Sequence, residues 1–526
     1  MRIFFIKLCI FCLVTTRAVA AVLPGSVSDA LNHAHIPLSS VSIVVEETHG
    51  GEPLISLNAD RAMNPASTMK LLTTFASLET LGPAYRWKTE AYLDGKLENG
   101  ALQGDLVFKG YGDPKLTVEQ FWMWLRELRQ RGLRDIRGNI VLDHSFFEAV
   151  NQDPAEFDHD PTRAYNVGTS ALLLNFNALH LHLVPDGHAT IALLEPDLAG
   201  YKLVNHITTS SKLRCGGEDE YKAHLDGHDI VLEGRIPAGC GEADDYFSLL
   251  PQDEYFFAVF SALWHELGGT LQGGMRAGTA PAGQTAFASY VSPPLSEVIR
   301  DINKFSNNIM ARQLFLTLGT AGVQDVAPAA PGAGPALAAD RNDDHGDSAG
   351  VQTLGEASVH AGQQAGGDNA DSDLPVVMPA SGGALQPASI TRSTAAIRQW
   401  LNARQLQFPE LVLENGAGLS RRERISARHL AELLRLASDS RFSAELEASL
   451  PILGMDGTVK KRFRDSDIAG YAHLKTGSLE GVKSIAGYVK AHSGKQWIVV
   501  FIVNHPNAAK AQPAQDALIE WLQKGS

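Results

Sequence analysis

Cysteine is nearly absent from this chain: four occur among 526 residues, and two of them, Cys9 and Cys12, fall at the very N-terminus. The remaining two, Cys215 and Cys240, have no Cys-x-x-Cys partner and make a poor zinc site. Positive charge is also short: 45 Lys and Arg stand against 59 Asp and Glu, a formal net charge of −14. That argues against a nucleic-acid-binding surface as the main function, although it leaves room for a local basic patch. After the N-terminal segment no stretch approaches the about 18 consecutive apolar residues of a membrane span. No internal repeat is visible.

What is present is the composition of a globular protein, 44% hydrophobic and 20% charged. At 526 residues the chain is too long for one ordinary core, so two or three domains are expected. Residues 1–20 read as a secretory signal: Arg2 and Lys7 supply positive charge, Leu8 to Val14 an apolar core, and Ala18-Val19-Ala20 a small-x-small cleavage site. The alternative is an uncleaved anchor, but the apolar stretch is short and Arg17 interrupts its end. An exported protein with one even pair of cysteines favours a Cys215–Cys240 disulfide.

Ser40 to Glu47 reads as a strand, His49 to Glu52 as a turn and Pro53 to Leu57 as a partner strand. From Trp87 to Leu142 short apolar runs alternate with turns such as Asp94-Gly95, with one helix over Thr117 to Gln130. Residues 170–290 continue as short alternating runs. In one of them the leucines of Ala178 to Leu183 take one face and His180 and His182 the other. His-x-His can bind metal, but no third ligand stands at a convincing spacing, so a solvent-facing strand edge is the plainer reading and no metal is assigned. Helical periodicity returns at Leu295 to Gly319, interrupted at Ser306. Residues 323–386 then carry mostly Ala, Gly, Pro, Asp, Gln and Ser, too little apolar surface to offset the entropy of ordering. Helices are expected over Ser389 to Arg404, Ser426 to Ala437 and Pro513 to Lys524, and strands over Gly481 to Lys490 and Gln496 to Val503. Strands at both chain ends flanking helices predict an α/β (α+β) core whose sheet is assembled from both ends, with a β-rich insertion at about 90–285.

Three short motifs carry chemistry. Ser67-Thr68-Met69-Lys70 follows Pro65, which suits a helix's first turn, and places Ser67 and Lys70 on one face. Ser306-Asn307-Asn308 interrupts the later helical run, and Lys475-Thr476-Gly477-Ser478 lies on a strand just before the terminal hairpin. S-x-x-K, S-x-N and K-T-G, in that order, form the signature of class A β-lactamases and penicillin-binding proteins. An alcohol needs a base to become a nucleophile at neutral pH. Lys70 can serve if it is buried near other cations, which lower its pKa. Lys475 is one such cation and also a natural anchor for a substrate carboxylate. Ser306 can pass a proton to a leaving amine, and Asn308 can bind a substrate amide or hold Lys70. The amides of Ser67 and Ser478 would face a developing oxyanion, and Gly477 lets a substrate backbone approach the strand.

The chain resembles the low-molecular-mass class C penicillin-binding proteins, the D-alanyl-D-alanine carboxypeptidase/endopeptidase family. Three further stretches support this. Lys109-Gly110-Tyr111-Gly112-Asp113-Pro114 resembles the family's G-x-G-D-P turn, Glu414 to Arg421 its D-G/N-G-S-G-L-S-R segment, and Leu450 to Thr458 its L-P-x-x-G-x-x-G-T block. The resemblance implies a transpeptidase/β-lactamase-like catalytic domain over 21–90 and 285–526. It also implies two inserted domains, over 91–170 with 265–284 and over 171–264. It further implies Ser67 as acylated nucleophile, Lys70 as base, and Ser306, Asn308 and Lys475 completing the catalytic set, with Ser67 and Ser478 as oxyanion hole. Thr476 and Gly477 would meet substrate. Asp160 and Tyr165 fall where the family places an Asp and an aromatic near the stem-peptide side chain, or belong to a polar surface loop. Arg421 matches the family Arg after G-L-S, or is one charge in a solvated Arg421-Arg422-Glu423-Arg424 run. Family members often carry Gln three residues after the K-T-G glycine, where this chain has Glu480, so recognition of a zwitterionic side chain can differ.

The implied function is an exported, periplasmic serine DD-peptidase. It would act on peptidoglycan stem peptides, removing terminal D-Ala, cutting D-Ala cross-links, or both, and would be acylated by β-lactams without any cofactor. Members of the family can form homodimers. A β-lactamase fits less well because of the long insertion between the first two motifs, and a non-catalytic peptidoglycan-binding protein has no need of a nucleophile–base pair. The 323–386 segment is not expected in the family. Deleting it is expected to leave acylation of Ser67 by a fluorescent penicillin intact; loss of labelling in a folded deletion variant would show that the segment serves the chemistry.

Overall fold

The computed structural model describes residues 23–150, 152–186, 189–210, 213, 215, 220–237, 239, 241–320 and 386–525. The predicted signal at 1–20, nearly all of the 323–386 segment and Cys240 lie outside the described residues; Cys215 is disulfide-bonded.

The first sheet joins both ends of the chain. Its five strands run in the order Ala472–Leu479, Val482–Lys490, Gln496–Asn504, Val41–Glu47, Ile55–Leu57. Every pairing in it is antiparallel, with Val44 opposite Val500. Gln496–Asn504 sits in the middle, and its seven inner residues, Trp497 to Val503, are all buried, as expected for a strand covered on both faces. Successive residues serve opposite layers. Ile43, Val45, Val499, Phe501 and Val503 pack beneath the helices Gly25–His33 and Gln512–Lys524. Val44, Ile498, Val500 and Ile502 belong to the other core, with Leu71, Leu72 and Phe75 of the helix Lys70–Leu81. Leu295–Phe305, Asn308–Leu318, Ile390–Ala403 and Ala427–Ser438 fill out that second layer. Ser389 and Ser426 start the last two by accepting the Arg392 and His429 N–H groups.

Between the two chain segments that build this sheet and its helices lie two further sheets. Seven strands form one, around the hairpin Lys88–Glu98 and Ala101–Gly110; six form the other, with Asp229–Pro237 between Glu220–Asp226 and Lys202–Ser210. The strand Ala288–Val291 pairs with Lys88–Ala91, so this sheet is sewn on at both points where the chain leaves and re-enters the catalytic layer. One apolar core serves both sheets: Leu179, Leu181, Ile230 and Leu232 of the six-stranded sheet share it with Leu102, Leu106 and Phe108 of the seven-stranded one. Phe108 is its hub, with ring centroids 5.4 to 5.8 Å from Phe121, Trp124, Phe256 and Phe260. The Gly110–Pro114 turn closes against this body. A Cβ at Gly110 would lie 2.0 Å from the Ala171 carbonyl oxygen, and one at Gly112 2.3 Å from the Phe147 ring. Burial pushes the Asp113 carboxyl in that turn up to about 7.

The inserted apolar core, separate from the two that flank the terminal sheet, predicts separable responses. Phe108→Ala is expected to cost about 3–5 kcal/mol in the inserted core while folded protein still labels at Ser67. Denaturant unfolding followed by tryptophan fluorescence, with penicillin labelling on the same samples, checks both.

Candidate active site

Ser67 lies half-buried in a short 3-10 turn, Ala66–Met69, that runs directly into the helix Lys70–Leu81. The turn is pinned from three sides. Asn64 accepts the Ala66 N–H (2.9 Å), donates to the Ser420 carbonyl (2.8 Å), and gives its own backbone N–H to Asn504 Oδ1 (2.8 Å). The Pro65 carbonyl accepts both the Thr68 hydroxyl (2.8 Å) and the Ser484 hydroxyl (2.6 Å). Ala66 is held at φ +47°, a left-handed conformation that a non-glycine residue adopts only when its surroundings insist.

Lys70 is fully buried. Its Nζ contacts Ser67 Oγ (2.9 Å) and donates to Asn308 Oδ1 (2.6 Å) and to the Ala417 carbonyl. Two of these partners can only accept; the hydroxyl alone can also donate. A neutral amine in this position spends its two N–H groups on Asn308 and Ala417 and turns its lone pair towards the Ser67 proton. Burial, then the Lys475 charge, hold Lys70 well below the ordinary lysine range, so the neutral form is accessible.

The second lysine, Lys475, is likewise fully buried and donates to Ser306 Oγ (2.9 Å) and to the Thr476 carbonyl (2.8 Å). Burial alone brings it down to about 7. Ser306 and Asn308 owe their positions to a helix break. Leu295–Phe305 ends with Ser306 in the left-handed region (φ 57°), and Asn307 caps Asn308–Leu318 by accepting the Met310 N–H (3.0 Å). The break aims Ser306 at Lys475 while Asn308, two residues on, reaches Lys70. Thr458, at the end of the Leu450–Thr458 block, accepts the Thr476 hydroxyl (2.7 Å).

Glycines allow the close approach. A Cβ on Gly477 would stand 2.9 Å from the Ser67 nitrogen and 2.7 Å from the Pro65 carbonyl oxygen. A Cβ on Gly418 (φ +79°) would stand 1.9 Å from the Ala66 carbonyl oxygen. The K-T-G strand and the Glu414–Arg421 loop thus pack directly on the serine turn. Ser478 lies exposed on the outermost strand of the sheet, one residue beyond Gly477.

Residues at the rim are arranged differently. Arg421 donates to the Glu480 carbonyl (3.0 Å) and carboxylate (3.3 Å) and lies 4.9 Å over the Phe157 ring. It lines a cavity of about 670 Å³ with Asp153, Glu156, Phe157, Arg312, Asn415 and Leu419. Asp160 and Tyr165 lie outside that lining: Asp160 accepts from Thr162 and Arg163, and the Tyr165 hydroxyl donates to Asp158 (2.6 Å). The Arg421–Arg424 run is not uniformly solvated. Glu423 is fully buried, its Oε1 accepting three consecutive backbone N–H groups, from Glu414, Asn415 and Gly416. Neither Glu423 nor the buried Arg312 was singled out from sequence; each sits among residues that read as surface charge or helix interior. His180 and His182 both meet Asp244 (2.8 and 2.9 Å), a partner 64 and 62 residues away. Among the described residues no group of three or more His, Cys, Asp or Glu is arranged to hold a metal ion.

A serine and two buried lysines, one held by Asn308 and the other by Ser306, on a sheet-and-helix frame built from both chain ends, define a serine acyl-transfer enzyme of the penicillin-binding kind. The chain belongs to the D-Ala-D-Ala carboxypeptidase 3 (S13) family, whose model matches residues 23–332 and 371–525 and so leaves out most of the low-complexity segment. It is 25% identical over 492 residues to the D-alanyl-D-alanine carboxypeptidase of Actinomadura sp. (strain R39), covering 90% of this chain and 80% of that protein. Identity to D-alanyl-D-alanine carboxypeptidase DacB of Haemophilus influenzae is 22% over 481 residues, 89% of this chain and 85% of that one. The crystal structure of penicillin binding protein 4 (dacB) from H. influenzae has the same fold, with a TM-score of 0.70 at 20% identity over 95% of this chain and 100% of that one. The protein is a serine-type D-Ala-D-Ala carboxypeptidase.

The fit around Gly418 gives a direct check. Gly418→Ala must push the loop off the serine turn, and a displacement of about 1 Å at reacting atoms can cost roughly a hundredfold in rate. The second-order rate of Ser67 labelling by a fluorescent penicillin should fall by that order while the circular dichroism spectrum is kept.

Proposed function

We propose that the Ser67 hydroxyl attacks the carbonyl between the two D-Ala residues of a peptidoglycan stem peptide, with the neutral Lys70 amine taking its proton. The arrangement that supports this reading most strongly is the Lys70 amine, whose other partners accept only and whose lone pair is left facing Ser67. The carbonyl oxygen of the tetrahedral intermediate sits against the Ser67 and Ser478 backbone amides. On collapse, the C–N bond breaks and Ser306, relayed by Lys475, delivers a proton to the leaving D-Ala amine; the relay follows the 2.9 Å Lys475–Ser306 contact. Once the proton taken from Ser67 has been passed on to make good the one Lys475 gave up, Lys70 is neutral again. Water then attacks the ester on Ser67, Lys70 takes its proton and returns it to Ser67 Oγ as the acyl C–O bond breaks, and the shortened peptide leaves with a free carboxylate.

Thr476 and Gly477 form the strand edge along which the substrate backbone lies. Arg421 and Glu480 stand at the rim near its side chain, and Asp160 and Tyr165 hold the loop that presents Phe157. A D-Ala carbonyl in a cross-link between two stems meets the same nucleophile, so endopeptidase action uses the same steps with a larger leaving amine. Penicillins acylate Ser67 because their amide mimics the D-Ala-D-Ala backbone; a structure of the H. influenzae relative complexed with a β-lactam, TM-score 0.66, is consistent with this. No helix among the described residues is long and apolar enough to cross a membrane, and we place the enzyme in the periplasm, where peptidoglycan lies.

A fluorescent penicillin should label the wild-type chain covalently and leave Ser67→Ala unlabelled. Lys70→Ala should slow labelling by roughly 10²–10⁴-fold, the usual worth of a general base. Purified monomeric and cross-linked muropeptides, read by mass, should lose D-Ala or fall to monomers. Binding of muropeptides with no bond cleaved would instead make the chain a non-catalytic binder.

A further inference from the structure

The most unusual group near the site, outside the motifs, is a carboxylate. Glu423 has no exposed surface, and its second oxygen, Oε2, has no hydrogen-bond partner. Burial raises the Glu423 carboxyl above the usual carboxylate range, and three N–H groups converging on one oxygen, Oε1, at 2.9 to 3.0 Å oppose that shift and favour the ionised form. The loop they belong to, Glu414–Gly416, leads directly into Ala417, whose carbonyl accepts from Lys70. Glu423 therefore holds the backbone from which Lys70 takes one of its two fixed acceptors.

We propose that Glu423 is a positioning residue for the catalytic base. It fixes the 414–418 loop so that the Ala417 carbonyl orients the Lys70 amine, and its charge is the buried counter-ion shared by Lys70 and Arg312. This rests on the reading of Lys70 as base.

The charged groups around the two residues come from four parts of the chain. Facing Lys70 are Lys475 on the K-T-G strand, Arg312 on the helix Asn308–Leu318, and Glu423 itself. Facing Glu423 are Lys70 and the loop amides. Arg312 sits on the same helix as Asn308, one turn on, and lies in the field of Glu423. It has a backbone partner in the Tyr165 carbonyl, but its Nε has none. Glu414, on the same loop, is engaged by Arg422 and by the Ser420 hydroxyl, and so does not substitute. Three buried cations and one buried carboxylate share the site, so the carboxylate opposes the two positive neighbours that depress Lys70.

The sign follows. Removing the Glu423 charge leaves Lys70 facing only cations, which lowers its proton affinity and keeps it neutral at more acid pH. In Glu423→Gln, which retains an acceptor at Oε1, the acid limb of the second-order rate of Ser67 labelling by fluorescent penicillin should move down by about one pH unit, together with a lower plateau. Glu423→Asp keeps the charge and should hold the limb near its wild-type position while also lowering the plateau. A residue that only braced the loop would lower the rate of both variants at every pH and move neither limb. A folded Gln variant with an unmoved limb, or an Asp variant whose limb moves as far as that of Gln, overturns the proposal. Should Glu423→Gln not fold, as circular dichroism would show, Arg312→Met carries the test. Because Arg312 itself faces Lys70, its loss alone moves the limb up; adding Glu423→Gln in that background should bring it back down, and a folded double variant whose limb stays where Arg312→Met left it overturns the shared counter-ion. Failure of the base assignment is separate: wild-type labelling would then not fall in acid, or Lys70→Ala would label as fast as the wild type.

Discussion

Everything in the site turns on a lysine that is buried without a full counter-ion. An ammonium removed from water is costly unless paired, and Lys70 has no carboxylate in hydrogen-bond contact: its partners are a hydroxyl, an amide oxygen and a carbonyl. The structure therefore favours the neutral amine. That is the form a serine nucleophile requires, and it is what a solvated lysine beside the same serine would not provide near neutral pH.

Holding an amine in that state requires two acceptors from distant sequence and a hydroxyl turned towards its lone pair, and the fold brings them together. Asn308 comes from a helix whose start is fixed by the Asn307 cap, Ala417 from a loop tied by Glu423, and Ser67 from a turn tied to Asn504 on the central strand. Both ends of the chain must be in place before these meet, because the sheet beneath them is woven from Val41–Glu47 and from strands beyond residue 471. The inserted sheets have their own apolar core and leave this arrangement through the paired strands at Lys88–Ala91 and Ala288–Val291. A large body can thus be added to the catalytic layer without routing its packing through the lysines.

Much of this was legible in the sequence because local rules agreed with the tertiary result. The terminal strands announce themselves as unbroken apolar runs such as Trp497 to Val503, and the helix after Ser67 by its proline and apolar stripe. Motif order then linked Ser67, Ser306 and Lys475. What was not legible had no local signature. The helix Gln252–Glu266 buries Tyr255, Phe256, Val259, Phe260, Leu263 and Trp264 on most of its circumference, so the stripe that marks a surface helix is flattened. Ser67 sits in a 3-10 turn ahead of the α-helix, a distinction that one turn of sequence does not encode. Glu423 read as one more charge among arginines, since nothing in Arg421-Arg422-Glu423-Arg424 says that the third residue alone points inward. The Ser420 hydroxyl, accepting the N–H groups of Arg422 and Glu423, makes the turn that sends it there.

The positions of the glycines show how tightly the charge balance is bound to packing. Gly418 and Gly477 bring two backbones against the serine turn, and a methyl group at either would meet an atom under 3.0 Å away. Water excluded by that contact cannot solvate Lys70 or Lys475, and it is the lack of water, more than any neighbouring charge, that lowers both lysines. The same close packing that sets the reach of Ser67 therefore sets the protonation of Lys70. A loosened loop would degrade both together, by moving Ser67 and by letting Lys70 regain its proton.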